Sequence, residues 1–290
     1  MSNIYLTESG SSEIGFAVAV GPPARGPLKV PVLPGSFIHD PTNPNFPQLI
    51  QASIYQYIYA VGLREPSAML RVVPNATNFT ATNINEIIAI GADNDLTELE
   101  AGVSVFDGFR GYTLIGAKID RMVIRARKRQ PLAWEMFFRG AGEPTVYGGD
   151  ATLITSPLLM GWAAYIIPTV GVPGNILGFD LTMNFGAQSN EEIGTAYSEY
   201  ATEVNASPPL VDLQLEMPTD KTIPTDGQAF GIGVSLDPDD PLALTTFTFE
   251  NPLNQNPNDV QLGGRRSTRR LGVICRGTAG GAFPVTVADS

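Results

Sequence analysis

The chain contains a single cysteine, Cys275, and a single histidine, His39, and this scarcity limits the catalytic chemistry open to it. A zinc site built from cysteine and histidine needs more ligands than these two, and no disulfide can form within the chain. Cys275 ends the alternating run Leu271, Val273, Cys275, which predicts a buried, inert thiol. His39 lies among prolines, and no Gly-x-Ser-x-Gly nucleophile motif accompanies it. We therefore expect no enzyme, with no catalytic, cofactor-binding or metal-binding residues.

Carboxylates are the other side chains that could do chemistry. The acidic segment at residues 91–100 could hold calcium, but it lacks the order of ligands and glycine that an EF-hand requires. Asp237, Asp239 and Asp240 alternate with prolines, which is typical of a turn stabilised by aspartate side chains. Solvated turns are the favoured interpretation of both segments. A glycosidase needs two paired carboxylates, and a chain with 29 acidic residues always offers such a pair, so their presence is uninformative.

The charges are few and mostly acidic. Lys and Arg number 18 against 29 Asp and Glu, giving a formal net charge of -11, and charged residues make up only 16% of the chain. Soluble domains average about 25%. An acidic chain has no general electrostatic basis for binding nucleic acid. The sparse charge indicates either a surface covered by further copies of the protein, or an acidic monomer with a Ser/Thr/Asn-rich surface.

Eight prolines fall within residues 22–47, a density that argues against helix and interior strand. We predict an extended arm ordered against a neighbouring subunit. Its deletion is then expected to leave the β core folded while preventing polymerisation. The arm supplies the first candidate subunit-interface residues, which are Pro22, Pro23, Pro27, Pro31, Pro34, His39 and Pro41.

Four arginines after Gly263 and Gly264 supply the second group of candidates for the subunit interface. The glycines predict an exposed loop. Pairing with acidic residues of an adjacent subunit is the favoured role, and a solvated loop or a nucleic-acid contact are the alternatives. The four residues are Arg265, Arg266, Arg269 and Arg270.

Alternation of apolar and polar residues dominates the rest of the chain and indicates antiparallel strands with one solvated face. Residues 118–127 and 132–138 predict a hairpin whose outer edge carries Arg121, Arg125 and Arg127. Other strands are predicted at residues 54–60, 69–73, 84–90, 179–185, 211–217, 230–236, 244–249 and 271–275.

One short helix is predicted from the capping box formed by Ser189 and Glu192, with apolar residues at helical spacing as far as Val204. Strands far outnumber helices. The predicted fold class is mainly β, an antiparallel β-sandwich or barrel with one short helix and extended loop arms.

The order of these segments resembles the tail tube proteins of long-tailed bacteriophages. The resemblance begins with GYTLIGAKIDRMVIRA at residues 111–126 and QPLAWEMFFRG at residues 130–140. It continues through PLLMGWAAYI, NILGFDLTMNF, the acidic helix predicted between Ser189 and Val204, and LVDLQLEMP. It covers roughly residues 100–280 and rests on spacing and strand order, with no catalytic signature.

The resemblance implies a structural virion protein that is made in the host cytoplasm and resides in the tail. Copies are expected to form rings, as a hexamer or a trimer of doubled subunits, that stack into a tube. The implied partners are further copies of the chain, a tape-measure protein, tail terminator and tip proteins, and DNA in transit without specific binding. An acidic lumen would repel that DNA. In this interpretation residues 1–95 form an amino-terminal region with accessory strands, and residues 96–290 form the tail-tube-like sandwich or barrel.

Two other classes of protein remain open. A capsid or decoration protein shares the composition and differs in assembly geometry. A carbohydrate-binding β-sandwich could use Tyr55, Tyr57 and Tyr59. Membrane insertion is not expected, because the longest apolar run, residues 158–167, is about half a bilayer span, and no basic signal-peptide region precedes the apolar stretch at residues 14–20.

Overall fold

The architecture is taken from a computed structural model. The residues that it describes are 10–18, 28–33, 35–40, 45–49, 57–61, 64–92, 99–106, 111–127, 130, 132–146, 165–168, 176–190, 203–205, 209–220, 223–235, 245–255, 260–261, 267–276 and 283–289. The elements of the first half are β1 (Gly10–Val18), β2 (Leu28–Val32), β3 (Phe37–His39), β4 (Asn45–Leu49), β5 (Tyr57–Val61), β6 (Ser67–Val72), α1 (Ala81–Ala92), β7 (Leu99–Phe106), β8 (Gly111–Arg127), β9 (Ala133–Arg139) and β10 (Thr145–Val146). Those of the second half are β11 (Tyr165–Pro168), β12 (Gly178–Asn184), β13 (Gln188–Asn190), β14 (Glu203–Asn205), β15 (Leu210–Pro218), β16 (Phe230–Ser235), β17 (Thr245–Phe249), β18 (Pro252–Gln255), β19 (Val260–Gln261), β20 (Thr268–Arg276) and β21 (Val285–Asp289).

The chain is mainly β, and its strand pairs are antiparallel, as predicted. Thirteen strands form the large sheet, in the order β18-β20-β15-β12-β8-β7-β1-β2-β6-β3. In addition, β9 pairs with both β6 and β8, β10 pairs with β8, and β19 pairs with β20. The large sheet therefore combines strands from both predicted regions, because β1 pairs with β7 and β6 pairs with β9.

A second sheet, in the order β11-β16-β17-β21, packs as the other layer of a sandwich-like fold. Phe79 lies between the two layers and is only 2% exposed. Its ring meets Trp134 of the large sheet edge-on at 5.3 Å between centroids, and Phe247 of the second sheet at 6.1 Å. Aromatic rings prefer such tilted contacts. One aromatic side chain thus joins the apolar faces of both sheets.

The hairpin of β8 and β9 confirms the alternation predicted for it. Met122, Ile124 and Ala126 are fully buried, whereas Arg121 and Arg125 are exposed. The two strands pair from Lys118 with Arg139 to Arg125 with Ala133. Strand β8 has 17 residues, about 56 Å of extended chain. That length lets it pair with β7 through its first part and with both β9 and β12 through its second.

The helix α1 corrects the prediction of a strand at residues 84–90. Ile84, Ile87 and Ile88 are buried at i, i+3 and i+4, which is the spacing of a helix face. The first turn is capped, since the Thr80 hydroxyl accepts the Asn83 N–H at 3.3 Å and the Asp289 carboxylate accepts the Ala81 N–H. The run of isoleucines favoured a strand by composition, but the spacing and the caps make a helix.

The prediction of a helix from Ser189 to Val204 is wrong at both of its ends. Ser189 lies in β13, Val204 lies in β14, and the two residues are antiparallel partners. Residues 191–202, between them, lie outside the described residues. A capping-box sequence is a local signal, and here cross-strand pairing overrides it at the two ends.

The proline-rich segment also contradicts its prediction, because β2 lies inside the large sheet between β1 and β6. Val30 and Val32 are buried. Pro31 is in register with Ser11, and its carbonyl accepts the Val73 N–H at 2.9 Å. A proline lacks only its own N–H donor, so a single proline is compatible with a strand that is otherwise paired.

Strand β16 departs from the predicted pattern of one solvated face. All six of its residues are buried. It lies between β11 and β17 in the second sheet, and Phe230 stacks on Phe249 at 5.1 Å between ring centroids. Alternating residues in this strand are large and small instead of apolar and polar, which suits a strand covered on both faces.

Gly91, near the end of α1, lies where the helix approaches the large sheet closely. A Cβ atom at this position would lie 2.5 Å from Ile119 Cγ2 and from the Phe185 ring. Gly91→Ala is expected to lower the free energy of unfolding by about 1–3 kcal/mol through overpacking, although alanine normally favours a helix. Urea denaturation measures the change. Gly272→Ala is the control, since its Cβ meets nothing closer than 3.4 Å, and equal stability of the two variants would contradict the close approach.

The described part of the chain contains no helix that is both long enough and apolar enough to cross a membrane. Of the apolar run at residues 158–167, only the last three residues, in β11, are described.

Candidate functional site: the arginine face of the large sheet

The outward side of the large sheet gathers arginine and carboxylate side chains from six strands. We call this surface the arginine face. It is built by outward-pointing residues of β6, β8, β9, β12, β15 and β20. The residues that alternate with them in each strand point the other way and form the core. Its charged residues are Arg71, Asp120, Arg121, Arg125, Arg127, Glu135, Arg139, Asp180, Asp212, Glu216, Arg270 and Arg276.

Antiparallel register arranges these residues in rows across the strands. One row runs from Arg127 through Gly178 and Glu216 to Arg270. Directly opposite residues in a sheet have Cβ atoms about 5 Å apart, so charges in one row interact. The register therefore brings together charges that are far apart in the sequence.

Glu135 is the most enclosed charge on this face, with its side chain 11% exposed. Its two carboxylate oxygens lie 3.4 Å from Arg71 Nε and 3.4 Å from Arg125 Nη1. The guanidinium groups reach it from β6 and β8, the strands on either side of β9. One carboxylate thus neutralises only one of the two arginine charges, and a positive charge remains at this point of the surface.

Arg127 and Asp180 form a two-pronged ion pair across β8 and β12. Arg127 Nε donates to Asp180 Oδ1 at 3.3 Å, and Arg127 Nη2 donates to Asp180 Oδ2. The hydrogen bond and the charge of Asp180 raise the pKa of the Arg127 guanidinium above its ordinary value, with a smaller contribution from the charge of Glu216. Two parallel contacts fix the orientation of the guanidinium group relative to the carboxylate.

A shallow depression with a cavity volume of about 40 Å³ lies above Gly178. Gly178 has no room for a side chain, since a Cβ would lie 2.7 Å from the Ala126 carbonyl oxygen. The surrounding side chains include Arg127, Asp180, Glu216 and Arg270. Charges of both signs line the depression, which suits contact with another charged surface better than enclosure of a small ligand.

Three further contacts hold two of the arginines in place. The Arg121 guanidinium lies 4.1 Å from the centre of the Phe137 ring, which is a cation–π contact. Arg139 lies 3.1 Å from a carboxylate oxygen of Glu65 and 3.6 Å from one of Asp120. Exposed pairs of this kind contribute about 0–1 kcal/mol each to stability. Their main effect here is to keep guanidinium groups oriented at the surface.

Of the four predicted interface arginines, the structure describes two, Arg269 and Arg270. Arg265 and Arg266 lie outside the described residues. Arg269 and Arg270 lie in β20, so the prediction of an exposed loop is wrong for this pair. Because side chains alternate along a strand, Arg270 joins the arginine face, whereas Arg269 points to the opposite side, with Met217 as its cross-strand partner. Arg269 Nε is buried and has no hydrogen-bond partner among the described atoms.

Of the predicted arm residues, the structure describes only Pro31 and His39. Pro31 is buried in β2 and His39 is exposed in β3, at the end of the large sheet. The remaining arm candidates, Pro22, Pro23, Pro27, Pro34 and Pro41, lie outside the described residues, as do residues 93–98 and 237–240 of the acidic segments. Within the described residues, no three histidine, cysteine, aspartate or glutamate side chains come together to hold a metal ion.

Cys275 is buried in β20, as predicted. Burial raises the pKa of its thiol to about 12, with a smaller contribution from the charge of Glu250, whereas an exposed thiol has a pKa of about 8.5. The folded protein therefore keeps this proton at a pH where the unfolded chain loses it.

Stability is accordingly expected to fall as the pH rises through the interval between these two values. The wild type should lose about 2 kcal/mol more than Cys275→Ala between pH 7 and pH 10. Urea denaturation of both proteins at the two pH values measures the difference. Parallel losses would show that the thiol does not contribute.

Sequence patterns indicated part of the arginine face but missed its partners. Alternation placed Arg121, Arg125 and Arg127 on the outer side of β8. It did not identify Glu135 or Asp180 as their partners, because pairing between strands depends on register. The sequence did show that each of these carboxylates occupies a polar position in an alternating strand, and therefore that it faces outward.

Comparison with models of known protein families finds no match to this chain, and comparison with curated protein sequences finds none either.

Proposed function

We propose that the chain is a structural virion protein that polymerises as stacked rings into a bacteriophage tail tube, through which DNA passes during ejection. The observation that carries the proposal is the broad antiparallel sheet, which presents a charged outer surface built from six of its strands. A surface of this kind is suited to contact with other protein over a wide area.

The composition supports the same proposal. Only 16% of the residues are charged, and sparse charge suits a protein whose surface is covered by further copies of itself. The net charge of -11 suits a conduit for DNA, because like charge prevents the phosphates from adhering. The resemblance of residues 100–280 to tail tube proteins adds the order of the strands.

The proposed partners follow from this role. They are neighbouring copies within and between rings, a tape-measure protein, and terminator and tip proteins at the two ends of the tube. The proposed location is the tail of the virion, after synthesis in the host cytoplasm.

Negative-stain electron microscopy of the concentrated full chain tests the proposal. Long tubes of uniform diameter are the expected result. Closed shells would favour a capsid or decoration protein instead, and dispersed monomers that bind immobilised sugars would favour a carbohydrate-binding β-sandwich.

A further inference from the structure

We infer that the arginine face is the surface on which acidic side chains of a second copy of this chain dock. The inference rests on the proposed function, since it names the surface through which copies of the chain meet. It is carried by the distribution of charge, by two arginines that form no ion pair with a described carboxylate, and by the apolar side chains beside them.

Charge is segregated between this face and the rest of the molecule. The face carries seven arginines and five acidic residues, whereas the whole chain has 18 basic and 29 acidic residues. Among the residues that the structure describes, the rest of the molecule holds four basic and 11 acidic residues, a formal charge of -7 against +2 on the face. A positive surface on an otherwise acidic molecule is complementary to other parts of an identical molecule.

Several guanidinium groups on the face have donors to spare. Arg270 and Arg276 are exposed on β20, and neither forms an ion pair with a carboxylate of the described residues. Arg71 and Arg125 share the single carboxylate of Glu135. Each guanidinium has five N–H donors that suit a carboxylate, so acidic side chains from outside can be accommodated.

A protein surface fits the face better than a nucleic acid does. Asp212 and Glu216 stand among the arginines and would repel phosphate. Exposed apolar side chains border the charged rows, with Leu210 next to Arg276 in register and Leu253 next to Ile274. Leu253 is 53% exposed. A protein partner can bury such side chains, whereas a phosphate backbone cannot.

The contact joins two different surfaces of the same molecule. Such a head-to-tail interface generates rings or open filaments instead of closed two-fold dimers. An acidic lumen is also required to repel DNA, so the arginine face is better placed between subunits than on the lumen wall.

Sedimentation of the full chain at about 50 mM and about 500 mM salt tests the inference. Arg270→Glu changes the formal charge by two units on the arginine face. Self-association is expected to weaken about tenfold at low salt and to recover partly at high salt. Arg276→Glu should behave in the same way.

Thr82→Glu combined with Ala89→Glu is the matched control, because it adds two negative charges at exposed positions of α1. This control should associate as the wild type does. Wild-type association in Arg270→Glu and Arg276→Glu at both salt concentrations would overturn the inference, and so would an equal loss in the control. Binding of duplex DNA that is lost in Arg270→Glu, with self-association intact, would overturn it in favour of a phosphate-binding surface.

The same samples separate this inference from the proposed function. Wild-type tubes together with normal assembly of both arginine variants would reject the docking surface alone. Assemblies other than tubes that are lost in the arginine variants would reject the tail tube and support the docking surface. A wild type that stays monomeric at all concentrations would overturn both.

Discussion

Deletion of residues 22–47 is expected to abolish cooperative folding, and not merely polymerisation. The deletion removes β2 and β3 and separates β1 from β6 in the large sheet. Leu28, Val30 and Val32 are buried, and burial of each such side chain contributes about 1.5–3 kcal/mol. Their combined loss approaches the whole stability of a typical domain, about 5–15 kcal/mol. Thermal unfolding followed by circular dichroism measures the effect.

The triple variant Pro22→Ala, Pro23→Ala, Pro27→Ala is the control for this deletion. It changes three of the predicted arm residues and leaves β2 intact. We expect it to unfold cooperatively near the wild-type temperature. A deletion variant that retains a wild-type β spectrum and a sharp thermal transition would restore the original interpretation of this segment as an arm outside the folded core.

Phe79→Ala is expected to lower the free energy of unfolding by about 3–5 kcal/mol. The ring is buried between Trp134 and Phe247, which belong to different sheets. Its removal leaves a cavity where the two layers meet, and a cavity adds its own cost to the lost burial of the ring. Urea denaturation should show a lower midpoint with an unchanged slope.

Phe37→Ala is the matched control for that substitution. The same ring is removed from β3, where Phe37 is 47% exposed, and the expected change is within about 0.5 kcal/mol. Phe79→Leu should fall between the two, because leucine fills part of the space. Equal losses in Phe79→Ala and Phe37→Ala would show that Phe79 does not join the sheets.

The hairpin of β8 and β9 was predictable because its signal is local. Met122 and Ile124 alternate with Arg121 and Arg125 within a few residues, and a period of two is a property of one extended strand. The buried state of Cys275 follows from the same pattern. The helix α1 could also have been found, since its buried isoleucines have helical spacing; the preference of isoleucine for strands obscured it.

Contacts between distant segments were not predictable in this way. Asp289 caps α1 by accepting the Ala81 N–H from 208 residues away, and it also accepts the Thr245 hydroxyl at 2.8 Å. Arg127 and Asp180 are 53 residues apart. No local pattern specifies which carboxylate will face which guanidinium, since shifting a strand by one residue moves every side chain to the other face.

The sequence by itself therefore determined the mainly β class, the antiparallel strands and the buried thiol, because each depends on composition or on a short period along one strand. Only the tertiary structure decided that β2 lies inside the sheet, that Arg269 and Arg270 point to opposite sides, and that seven arginines share one surface. The physical reason is that strand order and register are set by the packing of the whole core. That packing places the charged residues of separate strands on the same side of one sheet.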